Sequence, residues 1–165
     1  MNTTDIEPSE LLGVYLNDHL MGACGGVELA RRIARTFGEP DERSVLEELA
    51  AEIEQDRQSL IDAMTRLDVP RHSAKMAAGW LGEKIGRLKP NGSLVHRTAL
   101  TPVVELEAMH LGVEGKEAGW RVLRELARRD PRLEPIDFDR LIDRATHQKQ
   151  ILDGLRRQAA MTAFG

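Results

Sequence analysis

The sequence predicts an all-α protein, a bundle of four long helices with one shorter helix in the crossover between the second and fourth. Three observations carry that prediction. Apolar residues recur at alternating steps of three and four over long stretches, the period of a helix with one buried face. Nowhere do apolar and polar residues alternate as in a half-buried strand. The periodic stretches are separated by short clusters rich in Gly and Pro, at 38–40, 89–92 and 130–135. At 165 residues the chain is expected to form a single domain with a real core, residues 1–8 being a flexible N-terminus.

The first predicted helix has Ser9 as its N-cap and a stripe of Leu12, Leu16, His19, Ala23, Gly26, Ala30, Ile33 and Phe37. Gly38 and Pro40 stop it. Ser44 and Glu47 have the spacing of a capping box for the second helix, with Asp41 as an earlier cap. Its stripe is Leu46, Leu49, Ile53, Asp56, Leu60, Met64 and Leu67, ended by Pro70. Ala77, Trp80, Leu81, Lys84, Ile85 and Leu88 mark the shorter third helix, and residues 93–101 read as a loop. Thr101 followed by Pro102 predicts the start of a fourth helix running to about Arg129. Leu106, Met109, Val113, Trp120, Leu123 and Ala127 keep one phase through Gly112, Gly115 and Gly119. Asp137 caps the fifth helix, Ile136 can staple onto Leu141, and the stripe continues through Ala145, Gln148, Leu152, Leu155 and Ala159. Four helices of about 24–28 residues are each roughly 36–42 Å long, which suits side-by-side packing.

The net charge of −4 offers no basic surface for nucleic acid. No apolar stretch approaches the roughly 18 residues of a membrane span, and the first residues lack a signal-peptide pattern. A cytoplasmic location is the corresponding expectation. The single cysteine, Cys24, excludes an intramolecular disulfide framework and a multi-thiolate metal site. Glu28 with Arg32, Glu83 with Arg87, Glu117 with Arg121 and Glu125 with Arg129 are spaced as solvated ion pairs on helix faces.

Polar residues on apolar stripes are the informative exceptions. Asp56, His19, Lys84 and Gln148 each occupy such a position. A charge buried there needs a partner. They are expected to form a buried polar layer, with Asp56 paired to His19 or Lys84. Folding the first two helices about the Gly38–Asp41 turn sets Asp56 opposite Gly22 to Cys24. The small residues Gly22, Gly25 and Gly26 would then make room beside a carboxylate, either for close helix approach or for a ligand.

The segment ELEAMH, residues 105–110, contains an E-x-x-H step, Glu107 and His110. On a helix these two side chains lean toward one point and can share a metal. With the bundle of long helices, this resembles the ferritin-like superfamily. That resemblance implies one long crossover, so that the fourth helix runs parallel to the second. It also implies a di-iron or di-manganese site built from one glutamate on each of two helices and an E-x-x-H on each of the other two. Only Glu107 and His110 match that pattern. Gln55 stands where the second helix would need histidine, Glu28 of the first helix lies opposite that helix's apolar stripe, and the fifth helix has Gln148 and no glutamate.

The expectation is therefore a ferritin-like bundle without a complete di-metal site. It would have a binding or scaffolding role, a homodimer as candidate assembly, and no cofactor, nucleic acid or membrane partner. The alternative is an iron- or manganese-binding oxidoreductase or storage protein using Glu107, His110, His19 and Asp56. A second alternative is a small-molecule binder with its pocket by the glycines.

Overall fold

The computed structural model describes residues 7–38, 40–72 and 98–165. It contains four long helices, α1 (Pro8–Thr36), α2 (Pro40–Arg66), α3 (Leu100–Ala127) and α4 (Phe138–Phe164), and one 3-10 turn at Pro131–Leu133. There is no strand among the described residues, and no helix there is long and apolar enough to cross a membrane. α3 and α4 are the predicted fourth and fifth helices. The predicted third helix, including Lys84, lies outside the described residues.

Helix ends depart from the sequence reading by a few residues. α1 begins at Pro8, whose ring presets the first turn, and Glu7 precedes it with no side-chain cap, so Ser9 is already helical. α2 likewise starts at Pro40, which leaves Ser44 inside the helix. The stop after α1 uses Gly38 at φ +82°, a conformation that suits glycine. α2 ends at Arg66, four residues ahead of Pro70, in a turn where Asp68 takes φ +57° and Val69 N–H bonds to Met64 C=O. α3 begins at Leu100, and Thr101 Oγ1 accepts from Thr98 N–H. Asp137 caps α4 as expected, accepting from Arg140 N–H at 3.0 Å.

Side-chain contacts fix the helix directions. Asn17 bonds to Pro70 C=O and Arg31 pairs with Glu54, so α1 and α2 are antiparallel. His19 lies against Gly119, Gly26 against Met109, and Arg32 pairs with Glu105, so α1 and α3 are antiparallel. α4 runs against α3, through Glu107–Arg156 and Arg124–Asp139, and against α2, through Glu42–Gln158 and Gln55–Arg144. It follows that α2 and α3 run the same way. The end of α2 and the start of α3 therefore lie at opposite ends of the bundle.

The core is in two apolar halves. One gathers Val27, Ile33, Leu46, Leu49, Ile53, Leu106 and Leu152 with their neighbours. The other gathers Leu16, Leu20, Leu60, Met64, Trp120, Leu123, Leu133, Phe138 and Leu141. Partly buried Ile136 packs on this second half, which also holds Leu141, as a staple requires. Asn17, which the stripe of α1 did not single out, is buried. It ties the exit of α2 to α1 by donating to Gly13 C=O and Pro70 C=O and accepting from His72 N–H.

The surface pairs only partly follow the predicted steps. Glu117 does pair with Arg121, but Arg32 reaches across to Glu105, and Glu125 pairs with Arg128. Glu117 is buried in the α3–α4 seam. Burial opposes its charge, yet hydrogen bonds from Lys149 and Arg121 outweigh that and hold its carboxyl below the ordinary 4.5. As acid is added, the unfolded chain takes up this proton first. The carboxylate's stabilisation is therefore complete above pH 4.5 and is lost below it. Glu117→Gln should cost about 1–2 kcal/mol near neutral pH. In urea titrations at a series of pH values, the gap to wild type should close as pH falls below 4.5.

Candidate functional site

Between the two apolar halves lies a polar layer drawn from three helices. Asp56 of α2 is 1% exposed. Its Oδ1 accepts from Arg144 Nη2, and its Oδ2 accepts from Lys116 Nζ. Gln148 of α4 is fully buried and uses both ends of its amide. Its Oε1 accepts from Lys116 Nζ at 2.5 Å, while its Nε2 donates to Glu52 Oε2 at 2.9 Å and Asp56 Oδ2 at 3.2 Å. Arg144 also donates to Gln55 Oε1 at 3.1 Å. Burial pushes the Lys116 ammonium below the ordinary lysine range. Asp56 and Glu52 pull against that, and Arg144 adds to it.

This arrangement brings together two of the four residues expected in the layer, Asp56 and Gln148. Among the described residues the ion-pair partners of Asp56 are Lys116 and Arg144; His19 is not one of them, and Lys84 lies outside the described residues. The signal for Lys116 was in the phase of α3. The series Leu106, Met109, Val113 continues through position 116 to Trp120 and Leu123, so Lys116 sits on the stripe. Arg144 is one step off the α4 stripe and reaches in with a long side chain.

Gly22 and Gly26 of α1 do not lie against α2. Gly26 faces Met109 of α3, a Cβ there lying 3.6 Å from Met109 Cε, and Gly22 faces open space. Cys24, by contrast, is the residue beside α2, within reach of Arg57. Gly112, Gly115 and Gly119 supply the opposite wall on α3. The result is an open slot of about 510 Å³ between α1 and α3. Leu16, Ile53, Leu60, Met109, Val113 and Trp120 are among its apolar lining, and Lys116 lines it too. The slot explains why the middle of the α1 stripe, at Ala23 and Gly26, is only half-buried.

His19 stands at the slot, its ring edge-on to Tyr15 at 4.5 Å between centroids. A Cβ on Gly119 would come within 2.9 Å of the imidazole, so only glycine lets this ring seat on α3. Burial lowers the affinity of His19 for a proton, with Asp18 pulling the other way, so the ring is neutral at neutral pH.

The residues of the metal reading are dispersed. Glu107 is exposed and pairs with Arg156 at 3.4 Å; His110, half-buried, is near enough to Asp153 to act on its charge. Asp56 is occupied by two cations, and His19 sits against Tyr15 and Gly119. Among the described residues no three His, Cys, Asp or Glu side chains converge as metal ligands. A second, polar groove of about 410 Å³ opens between α2 and α4, lined in part by Asp62, Arg66, Arg140 and Arg144.

The fold and site thus define an all-helical bundle with a buried charged layer and a lateral slot. No protein-family model, curated protein or solved structure matches the chain.

Asp56→Asn removes the buried carboxylate that contacts both Lys116 and Arg144. It should cost about 3–5 kcal/mol in urea unfolding. The triple replacement Asp56→Leu, Lys116→Met, Arg144→Leu should recover part of that loss, since it removes the unpaired buried cations but leaves the Gln148 carbonyl without its Lys116 donor.

Proposed function

We propose that this protein is a binding protein, a ferritin-like bundle that holds a small, largely apolar molecule in the slot between α1 and α3. The observation that carries this reading is the slot itself, a cavity of the size that small ligands occupy, walled by Leu16, Ile53, Leu60, Met109, Val113 and Trp120. Gly22 and Gly115 are exposed positions on its lining, and a Cβ at either would meet nothing within 4 Å. Packing therefore does not require these glycines, although each costs its helix about 1 kcal/mol relative to alanine. The parallel course of α2 and α3 supports the ferritin-like connectivity, which needs one long crossover. The charged layer below the slot fits a binding role better than a metal-centred one, because its carboxylate already has two cationic partners.

Two measurements test this. Gly22→Ala and Gly115→Ala should each raise stability by about 0.5–1 kcal/mol in chemical denaturation. The double variant Gly22→Leu, Gly115→Leu should stay folded by circular dichroism but fill the slot. Wild type should bind the neutral apolar dye N-phenyl-1-naphthylamine saturably at one site, and the double-leucine variant at least tenfold more weakly. Equal binding by both proteins would overturn the assignment of the slot. Separately, protein purified without chelator should carry no stoichiometric iron, manganese or zinc by elemental analysis. Metal that disappears in Glu107→Ala, His110→Ala would restore the oxidoreductase or storage reading.

A further inference from the structure

α3 carries a second apolar stripe. Its first, through Leu106, Val113 and Trp120, is taken up by the core. On the opposite side, from Leu100 to Val122, every third or fourth residue is also apolar and none is charged. The four large ones, Leu100, Val104, Leu111 and Val122, are between 41% and 70% exposed. α1 takes one flank of α3, where His19 meets Gly119, and α4 takes the other, where Arg156 meets Glu107. The second stripe therefore faces outward. One apolar face is enough to hold a helix in a bundle, and a continuous exposed one marks a contact surface.

The stripe reads alike in both directions. Leu111, the most exposed of the four, is its middle. Ala108 and Gly115, three and four residues away, are both small. Val104 and Ala118 each lie seven residues away, and Leu100 and Val122 each lie eleven. We infer that α3 docks on α3 of a second copy of this chain, antiparallel, about a two-fold axis through Leu111. At that axis Leu111 meets its own counterpart, Ala108 faces Gly115, Val104 faces Ala118 and Leu100 faces Val122. Large side chains hold the centre and the ends, and the small ones between them let the two helices approach. A two-fold interface must be self-complementary in this way, whereas an unrelated partner imposes no such symmetry.

Charge and area agree with a second copy. Beside the stripe, Glu107 is paired with Arg156 and Glu114 with Lys149 inside the same chain, so the copies bring neutral flanks together. The antiparallel course of α1 sets its exposed Leu11 and Val14 at the level of the end of α3, beyond Val122. A strip about 33 Å long and two helices, about 20 Å, wide covers about 650 Å² on each copy and about 1,300 Å² in all. Specific interfaces bury roughly 1,200–2,000 Å². The inference concerns assembly and is independent of whether the slot holds a ligand.

Sedimentation equilibrium of the full chain at micromolar concentrations tests it. Wild type should be a dimer. Leu111→Glu and Leu111→Lys, each placing like charges on the axis, should each weaken the dimer at least tenfold. Both should keep the wild-type circular dichroism, because the replaced side chain is outside the core. Mixing the two variants should restore a dimer, since unlike charges then meet. In a Cys24→Ser background, which removes the one native cysteine, mild oxidation should link Leu111→Cys chains in pairs. It should not link Val122→Cys chains, whose two copies stand about 33 Å apart in this arrangement. A monomeric wild type, a dimer that Leu111→Glu leaves intact, charge variants that stay apart when mixed, or linkage through Val122→Cys as ready as through Leu111→Cys would overturn the inference.

Discussion

The contact between Asp56 and its two cations is the constraint around which the bundle is arranged. Asp56 is nearly inaccessible, so an unpaired charge there would cost several kcal/mol. It is matched only when α2, α3 and α4 stand at one height. Sliding any of these helices by a turn would move Lys116, Arg144 or Gln148 away from it. The apolar residues on either side are permissive by comparison. Leucine, isoleucine and valine stripes pack tolerably in several registers, whereas the layer accepts one. The price of that specificity is a core divided into two halves.

The same layer links the interior to two surfaces. Lys116 meets the slot between α1 and α3, and Arg144 meets the polar groove between α2 and α4. Glycines on both slot walls keep the first opening wide, while longer side chains line the second. Chemistry that needs charge in an apolar setting is thus concentrated at mid-height, and outward-facing positions such as Glu107 are left to surface pairing.

Much of the fold was legible in the sequence, because a helical stripe is a local property. The four long helices, the Asp137 cap and the stop at Gly38 are all written in neighbouring residues. Helix starts were misplaced where proline at the first helical position made a side-chain cap unnecessary, at Pro8 and Pro40. The site was legible only in part. Asp56 and Gln148 stood out as polar residues in apolar phase, but their partners lie between 32 and 96 positions away along the chain, on other helices. Spacing within one helix carries no information about which helix will face it. Lys116 lies in phase on the α3 stripe, but the phase of one helix does not say that its ammonium will meet Asp56 of α2 and Gln148 of α4. Gly22 and Gly26 line the slot on the α3 side, because the angular position that decides between α2 and α3 depends on how the hairpins dock.

The polar layer is divided unequally between the two helical hairpins. The α1–α2 hairpin contributes the carboxylates Asp56 and Glu52. The α3–α4 hairpin contributes the cations Lys116 and Arg144. Two copies of the first hairpin meeting along their apolar seams would press carboxylate on carboxylate, and two copies of the second would press cation on cation. Either pairing would bury like charges at the centre of the interface. Only the unlike halves can dehydrate their seams together, so the arrangement that keys the helices within one chain also discourages self-association of partly formed chains during assembly.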